Sequence, residues 1–166
     1  MTADFEMEMY NADGTRSEMC GNGIRCVGKY VYDHFMTEQT EITVVSAGKV
    51  KYLSLSLENG LVSRVRVNMG APILDAPLIP VINETSPVVD EPIIVEDKEY
   101  KMTCVSMGNP HAVVFVDDVE HLDINAVGPY FKNHKRFPNR VNTEFLQVID
   151  KNHISKRVYE RGTGET

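Results

Sequence analysis

Residues 19–35, MCGNGIRCVGKYVYDHF, place a thiol at Cys20, then Gly21, Asn22 and Gly23, and then an apolar pattern of helical spacing. Ile24, Val27, Val31 and Phe35 recur every three or four residues, while Lys29 and Asp33 fall elsewhere, so the spacing predicts an amphipathic helix from Ile24 onward. A helix start exposes unpaired N–H groups and the positive end of the macrodipole, which favours a thiolate beside it. Gly21, Asn22 and Gly23 accept unusual backbone angles and can turn their N–H groups into a concave nest for an anion such as a carboxylate. The pattern therefore offers a reactive sulfur next to an anion site. The competing reading is a buried cysteine beside a glycine turn.

Outward from this stretch the period changes. In DFEMEMY, Phe5, Met7 and Met9 alternate with Glu6 and Glu8, as in a half-buried strand. EITVVSA, KYLSLSL and LVSRVRV read as strands, with Asn59-Gly60 as a hairpin turn between the last two. The segment NMGAPILDAPLIP is proline-rich and aperiodic, which sets a boundary near Gly70 between residues 1–70 and 71–166. Beyond it PIIVE, a turn at Asp97-Lys98, EYKMTCVSM and AVVFVDD are strands. A helix falls within Ile124–His134, and TEFLQVI and SKRVYE are strands. Strands around one helix in each half make an α+β pattern rather than regular βαβ alternation. The two halves could be remote duplicates.

Composition narrows the partners. The 166 residues are 42% hydrophobic and carry a formal net charge of −7 with no basic run, which argues against nucleic acid and anionic membrane as partners. No apolar stretch approaches the ~20 residues needed to cross a bilayer, and the start lacks a signal-peptide pattern, so the expected location is the cytoplasm. Cys20, Cys26 and Cys104 are odd in number and lack C-x-x-C spacing, and are read as free thiols. The five histidines are scattered, and no metal is expected.

Further polar clusters stand at strand ends. Pro110 biases Asn109 toward an extended conformation and sets His111 at the mouth of an apolar strand, where an imidazole could trade protons; a structural histidine at a strand start is the alternative. Glu160 and Arg161 close a strand before a glycine loop, as a solvated terminus also would. Asn142 opens a strand and equally suits a turn. Cys26 and Cys104 are read as core. Arg16 and Arg25 are given no catalytic role.

Taken together, YNADGTRSEMCGNGIRC, SMGNPHAVVFVDDV, FPNRVNTEFLQV and ERGTGET resemble diaminopimelate epimerase in order and spacing. The resemblance implies two similar domains, each a curved or barrel-like β-sheet around a central helix. Residues 1–70 would be the remainder of the first and 71–166 most of the second. It implies a cofactor-independent epimerase interconverting LL- and meso-diaminopimelate, for lysine and peptidoglycan precursor synthesis, often paired as a homodimer. By that similarity Cys20 is one of two catalytic thiols, and Asn11, Asn109 and Asn142 are substrate ligands. Gly21 and Asn22 bind a carboxylate through backbone N–H groups, and Glu160 and Arg161 contact the reacting end. His111 and Glu160 help set thiol protonation.

Chemistry agrees, because inverting an α-carbon without pyridoxal phosphate needs acid/base groups on both faces. In the family a second cysteine follows the ERGTGET loop in an A-C-G-T-G-like motif, and a G-x-G-N-like loop precedes the first matched segment. Neither occurs within these residues, so the expectation is an internal fragment that does not complete the two-base reaction alone. The alternatives are a proline-racemase or phenazine-type isomerase of the same superfamily, and a non-catalytic amino-acid-binding module.

Overall fold

A computed structural model of the chain describes residues 3–10, 14, 16 and 19–166. The chain divides into two compact units, Met1–Gly70 and Ala71–Thr166. The first contains β1 (Phe5–Met7), α1 (Gly21–Asp33), β2 (Glu41–Ser46), β3 (Lys49–Glu58) and β4 (Leu61–Val67). Its sheet has the order β1-β2-β3-β4, with β1 and β2 parallel and the other pairs antiparallel. A parallel pair needs a crossover, and α1 is that crossover.

Helix α1 buries Ile24, Gly28 and Val31 and turns Arg25, Cys26 and Lys29 outward. These face the apolar side of the sheet, where Ile42, Val44, Leu53 and Val62 are buried. Each such aliphatic side chain contributes roughly 1.5–3 kcal/mol by leaving water. Three expectations for this helix are corrected. It begins at Gly21, because Cys20 caps it and the glycines are its first turn. It ends at Asp33, so Phe35 follows it with φ 58° and is 91% exposed. Cys26 is exposed rather than core, since two residues beyond Ile24 is roughly 200° round the helix.

The second unit contains a 3₁₀ turn (Ala76–Leu78), β5 (Glu91–Val95), β6 (Lys98–Ser106), β7 (Pro110–Phe115), α2 (Ile124–Lys132), β8 (Asn142–Asp150), β9 (His153–Glu160) and β10 (Gly164–Glu165). The sheet order is β10-β9-β8-β7-β6-β5. Its one parallel pair, β7 with β8, is again bridged by a helix, α2. The hairpin between β5 and β6 turns at Glu96-Asp97, both with positive φ, one residue before the expected position. Asp123 caps α2 by accepting from the Ala126 N–H at 3.0 Å, and Pro129 lies inside the helix. Phe131 anchors the core, edge-on to Tyr100 at 5.1 Å and to Phe145 at 5.4 Å between ring centroids.

The fold is thus α+β with two mixed sheets and two helices, as expected. The sheets are open rather than barrel-like, for among the described residues β1 and β4 pair on one side only, as do β10 and β5. No helix of the described residues is long and apolar enough to cross a membrane.

Candidate active site

In the first unit the site residues gather where α1 begins. Cys20 is half-buried with extended backbone, φ −131° and ψ 105°, and its Sγ accepts the Gly23 N–H at 3.2 Å. This is the position that serine or aspartate usually fills at a helix start. Gly23 sits close against two sulfur-bearing side chains. A Cβ there would lie 2.8 Å from Met9 Sδ and 3.3 Å from Cys20 Sγ. Gly21 and Asn22 are the first two helical residues, and a helix supplies their N–H groups with no intrahelical acceptor. The expected nest is therefore a helix N-terminus. The Asn22 carboxamide oxygen accepts from Arg25, whose Nε donates to the Gly21 carbonyl at 3.1 Å. Asn11 lies outside the described residues.

In the second unit five expected residues come to one end of the six-stranded sheet. The parallel register sets His111 opposite Asn142 at the N-terminal ends of β7 and β8, and the antiparallel register sets Thr143 opposite Tyr159 at the C-terminal end of β9. His111 and Asn142 are thereby paired, and Asn109, Glu160 and Arg161 stand at the adjoining ends of β7 and β9, although the five span more than fifty positions. Asn142 is buried, 5% exposed, and its Oδ1 accepts the Arg161 N–H at 2.9 Å. Arg161 also donates to the Asn139 carbonyl at 3.3 Å. Glu160 is exposed and accepts from the Thr166 hydroxyl at 3.4 Å.

His111 is held at both nitrogens. Nδ1 is 2.6 Å from Glu144 Oε1, and Nε2 is 2.8 Å from Asn109 Oδ1. Glu144 did not emerge from the sequence reading. Its signal was a carboxylate in an interior strand two residues from Asn142, hence on the same face.

The remaining thiols stand elsewhere. Cys104 is fully buried, and burial pushes its thiol up to about 12, so it stays protonated. Cys26 lies on the outer face of α1. No group of three or more His, Cys, Asp or Glu suited to a metal ion occurs among the described residues.

The sequence model of the diaminopimelate epimerase family matches residues 1–74 and 103–166. The diaminopimelate epimerase of Agathobacter rectalis is 54% identical across 99% of this chain and 60% of its own length. That of Methanococcus maripaludis is 51% identical across 99% of this chain and 59% of its own length. The chain thus spans about 60% of the length of the curated relatives it matches. Among solved structures, a probable proline racemase from Agrobacterium radiobacter K84 superposes with a TM-score of 0.74 at 15% identity, over 98% of this chain and 51% of that one. That likeness is one of fold. Cys20 at its helix start and the polar cluster on β7, β8 and β9 are carried by segments that the family model covers, and the chain belongs to the diaminopimelate epimerase family.

Proposed function

We propose that this chain is the part of a cofactor-independent epimerase that supplies one acid/base thiol and most of the substrate ligands for interconverting LL- and meso-diaminopimelate. The observation that carries the reading is Cys20, half-buried at the positive end of α1 with its sulfur 3.2 Å from a backbone N–H. A sulfur so placed can take the α-proton of an amino acid whose carboxylate meets the amides of Gly21 and Asn22. The carbanion formed is quenched by a proton delivered to the opposite face, which leaves the thiol and thiolate exchanged and the stereocentre inverted. Neither other cysteine suits the second role, because Cys104 is buried and Cys26 faces outward. The complete reaction is therefore proposed for the protein at the full length of its relatives.

In this reading Asn109, Asn142 and Arg161 bind the substrate, Glu160 contacts the reacting end, and His111 and Glu160 tune the proton transfers. The product would feed lysine and peptidoglycan precursor synthesis in the cytoplasm. Family membership supports the substrate, and the matched segments include every one of these residues.

The test is alkylation of the chain by iodoacetamide with and without diaminopimelate. Diaminopimelate should slow modification of Cys20 and leave Cys26 unaffected. Equal modification rates of Cys20 in both conditions, together with no deuterium entering the α-carbon from heavy water at full length, would overturn the reading.

A further inference from the structure

We infer that Glu144 is a positioning residue of this site, which fixes the His111 ring by accepting a hydrogen bond from its Nδ1 and so holds Nε2 against the Asn109 carboxamide, whose remaining groups are offered to a ligand.

The argument begins with strand geometry. Glu144 pairs with Val113 in the parallel ladder, and His111 with Asn142, so the histidine and the carboxylate are diagonal neighbours across β7 and β8. The bond between them is 2.6 Å, and the side chains are only 22% and 13% exposed. Water competes weakly there, and a charge-assisted bond of this length holds the ring in one orientation. With Nδ1 committed to Glu144, Nε2 is the nitrogen turned to Asn109, where it meets Oδ1 at 2.8 Å.

The consequence falls on Asn109. A carboxamide has an acceptor end and a donor end, and here the acceptor end is taken by the ring. The NH₂ group is left for a ligand, a donor matched to a carboxylate. Glu144 thus acts at one remove, through His111, on the placement of the Asn109 amide. Its second oxygen, Oε2, is buried with no protein partner among the described residues. A buried carboxylate oxygen left in this state is costly, a cost that an aliphatic side chain filling the same strand position would avoid.

The identity of the ligand rests on the epimerase reading; the geometry does not. Two measurements keep them separable. In proton NMR of the chain, the wild type should show a far-downfield, slowly exchanging His111 Nδ1 resonance. Glu144→Ala should lose it, and Glu144→Gln, which keeps an acceptor oxygen, should retain it at a less downfield position. At full length, Glu144→Ala should raise KM for diaminopimelate about tenfold, the worth of one charged hydrogen bond, with a much smaller change in kcat, and Glu144→Gln should recover most of that loss.

Persistence of the wild-type resonance in Glu144→Ala would overturn the inference, as would an unchanged KM in that variant when folded. If Glu144→Ala does not fold, Glu144→Gln decides, and a spectrum identical to wild type overturns it. If the wild-type protein fails to turn over diaminopimelate, the epimerase reading falls, and the resonance alone still decides the role of Glu144.

Discussion

Gly128 of α2 lies directly beneath the Tyr159 ring of β9, so close that a Cβ at position 128 would fall 2.3 Å from the ring's Cγ and 2.4 Å from Cδ2. Tyr159 is itself buried, with 9% exposure. The contact is with the stem of a rigid ring, which cannot yield without moving the strand. Gly128→Ala is therefore expected to destabilise the second unit by about 1–3 kcal/mol through overpacking, after a helix-propensity gain of up to ~1 kcal/mol has offset part of the strain. Gly28 of α1 is the control. There a Cβ would meet the terminal Cδ2 of Leu53 at 2.9 Å, a flexible end that can turn aside, so Gly28→Ala should cost clearly less. Urea unfolding midpoints of both variants check the ordering. Because Tyr159 precedes Glu160 and pairs with Thr143 beside Asn142, Gly128→Ala should also disturb the ligand end of the sheet.

Cys20 carries two separable tasks, capping α1 and the proposed proton transfer. Serine is among the best residues at a helix start, so Cys20→Ser should keep the bond to the Gly23 amide and leave stability unchanged or raised. Cys20→Ala lacks the acceptor and should lose about 0.5–1 kcal/mol. At full length both variants should lose turnover of diaminopimelate by about a hundredfold or more, the usual contribution of a positioned acid/base group. Retained turnover in Cys20→Ser would remove thiol chemistry from the mechanism, whatever its stability. Thermal unfolding and turnover measured on the same preparations separate the two tasks.

Much of this was legible in the sequence, and the misses have physical reasons. The apolar spacing of Ile24, Val27 and Val31 gave helix α1 and its buried face, but glycine and asparagine are poor helix formers, which hid a start that Cys20 creates by capping. Phe35 kept the apolar period one turn too far, because periodicity reports side-chain type and not where the backbone leaves the helix. Asn59-Gly60 announced its hairpin, whereas Ala47, with φ 48°, forms another before Gly48 without any sequence sign beyond the glycine. Asn109, His111 and Asn142 could be named from motifs. Glu144 could not, since its partner is 33 residues away and only the parallel register of β7 and β8 brings the two together.

One acid-sensitive contact of the first unit is made by Asp33 at the end of α1. Its Oδ2 accepts from Lys29 Nζ at 2.6 Å and its Oδ1 from the Val62 N–H at 2.8 Å, while Lys29 also donates to the Val62 carbonyl at 2.6 Å. A carboxylate at a helix C-terminus opposes the macrodipole, and these two donors compensate for it by tying α1 to β4. The Lys29 hydrogen bond, and after it the Val62 N–H, hold the Asp33 carboxyl below the usual carboxylate range. A group depressed in the folded state binds its proton more readily when unfolded, so its stabilising effect is complete above the unfolded value of about 3.9 and is lost as pH falls through the lower folded value. Asp33→Asn keeps an acceptor for the Val62 amide and removes the charge. Its urea midpoint should therefore lie below that of the wild type at pH 7, and the gap should close as the pH is lowered into the acidic range below about 4. A gap of the same size at neutral and acidic pH would mean that packing at position 33, and not the charge on its carboxylate, holds the helix to the strand.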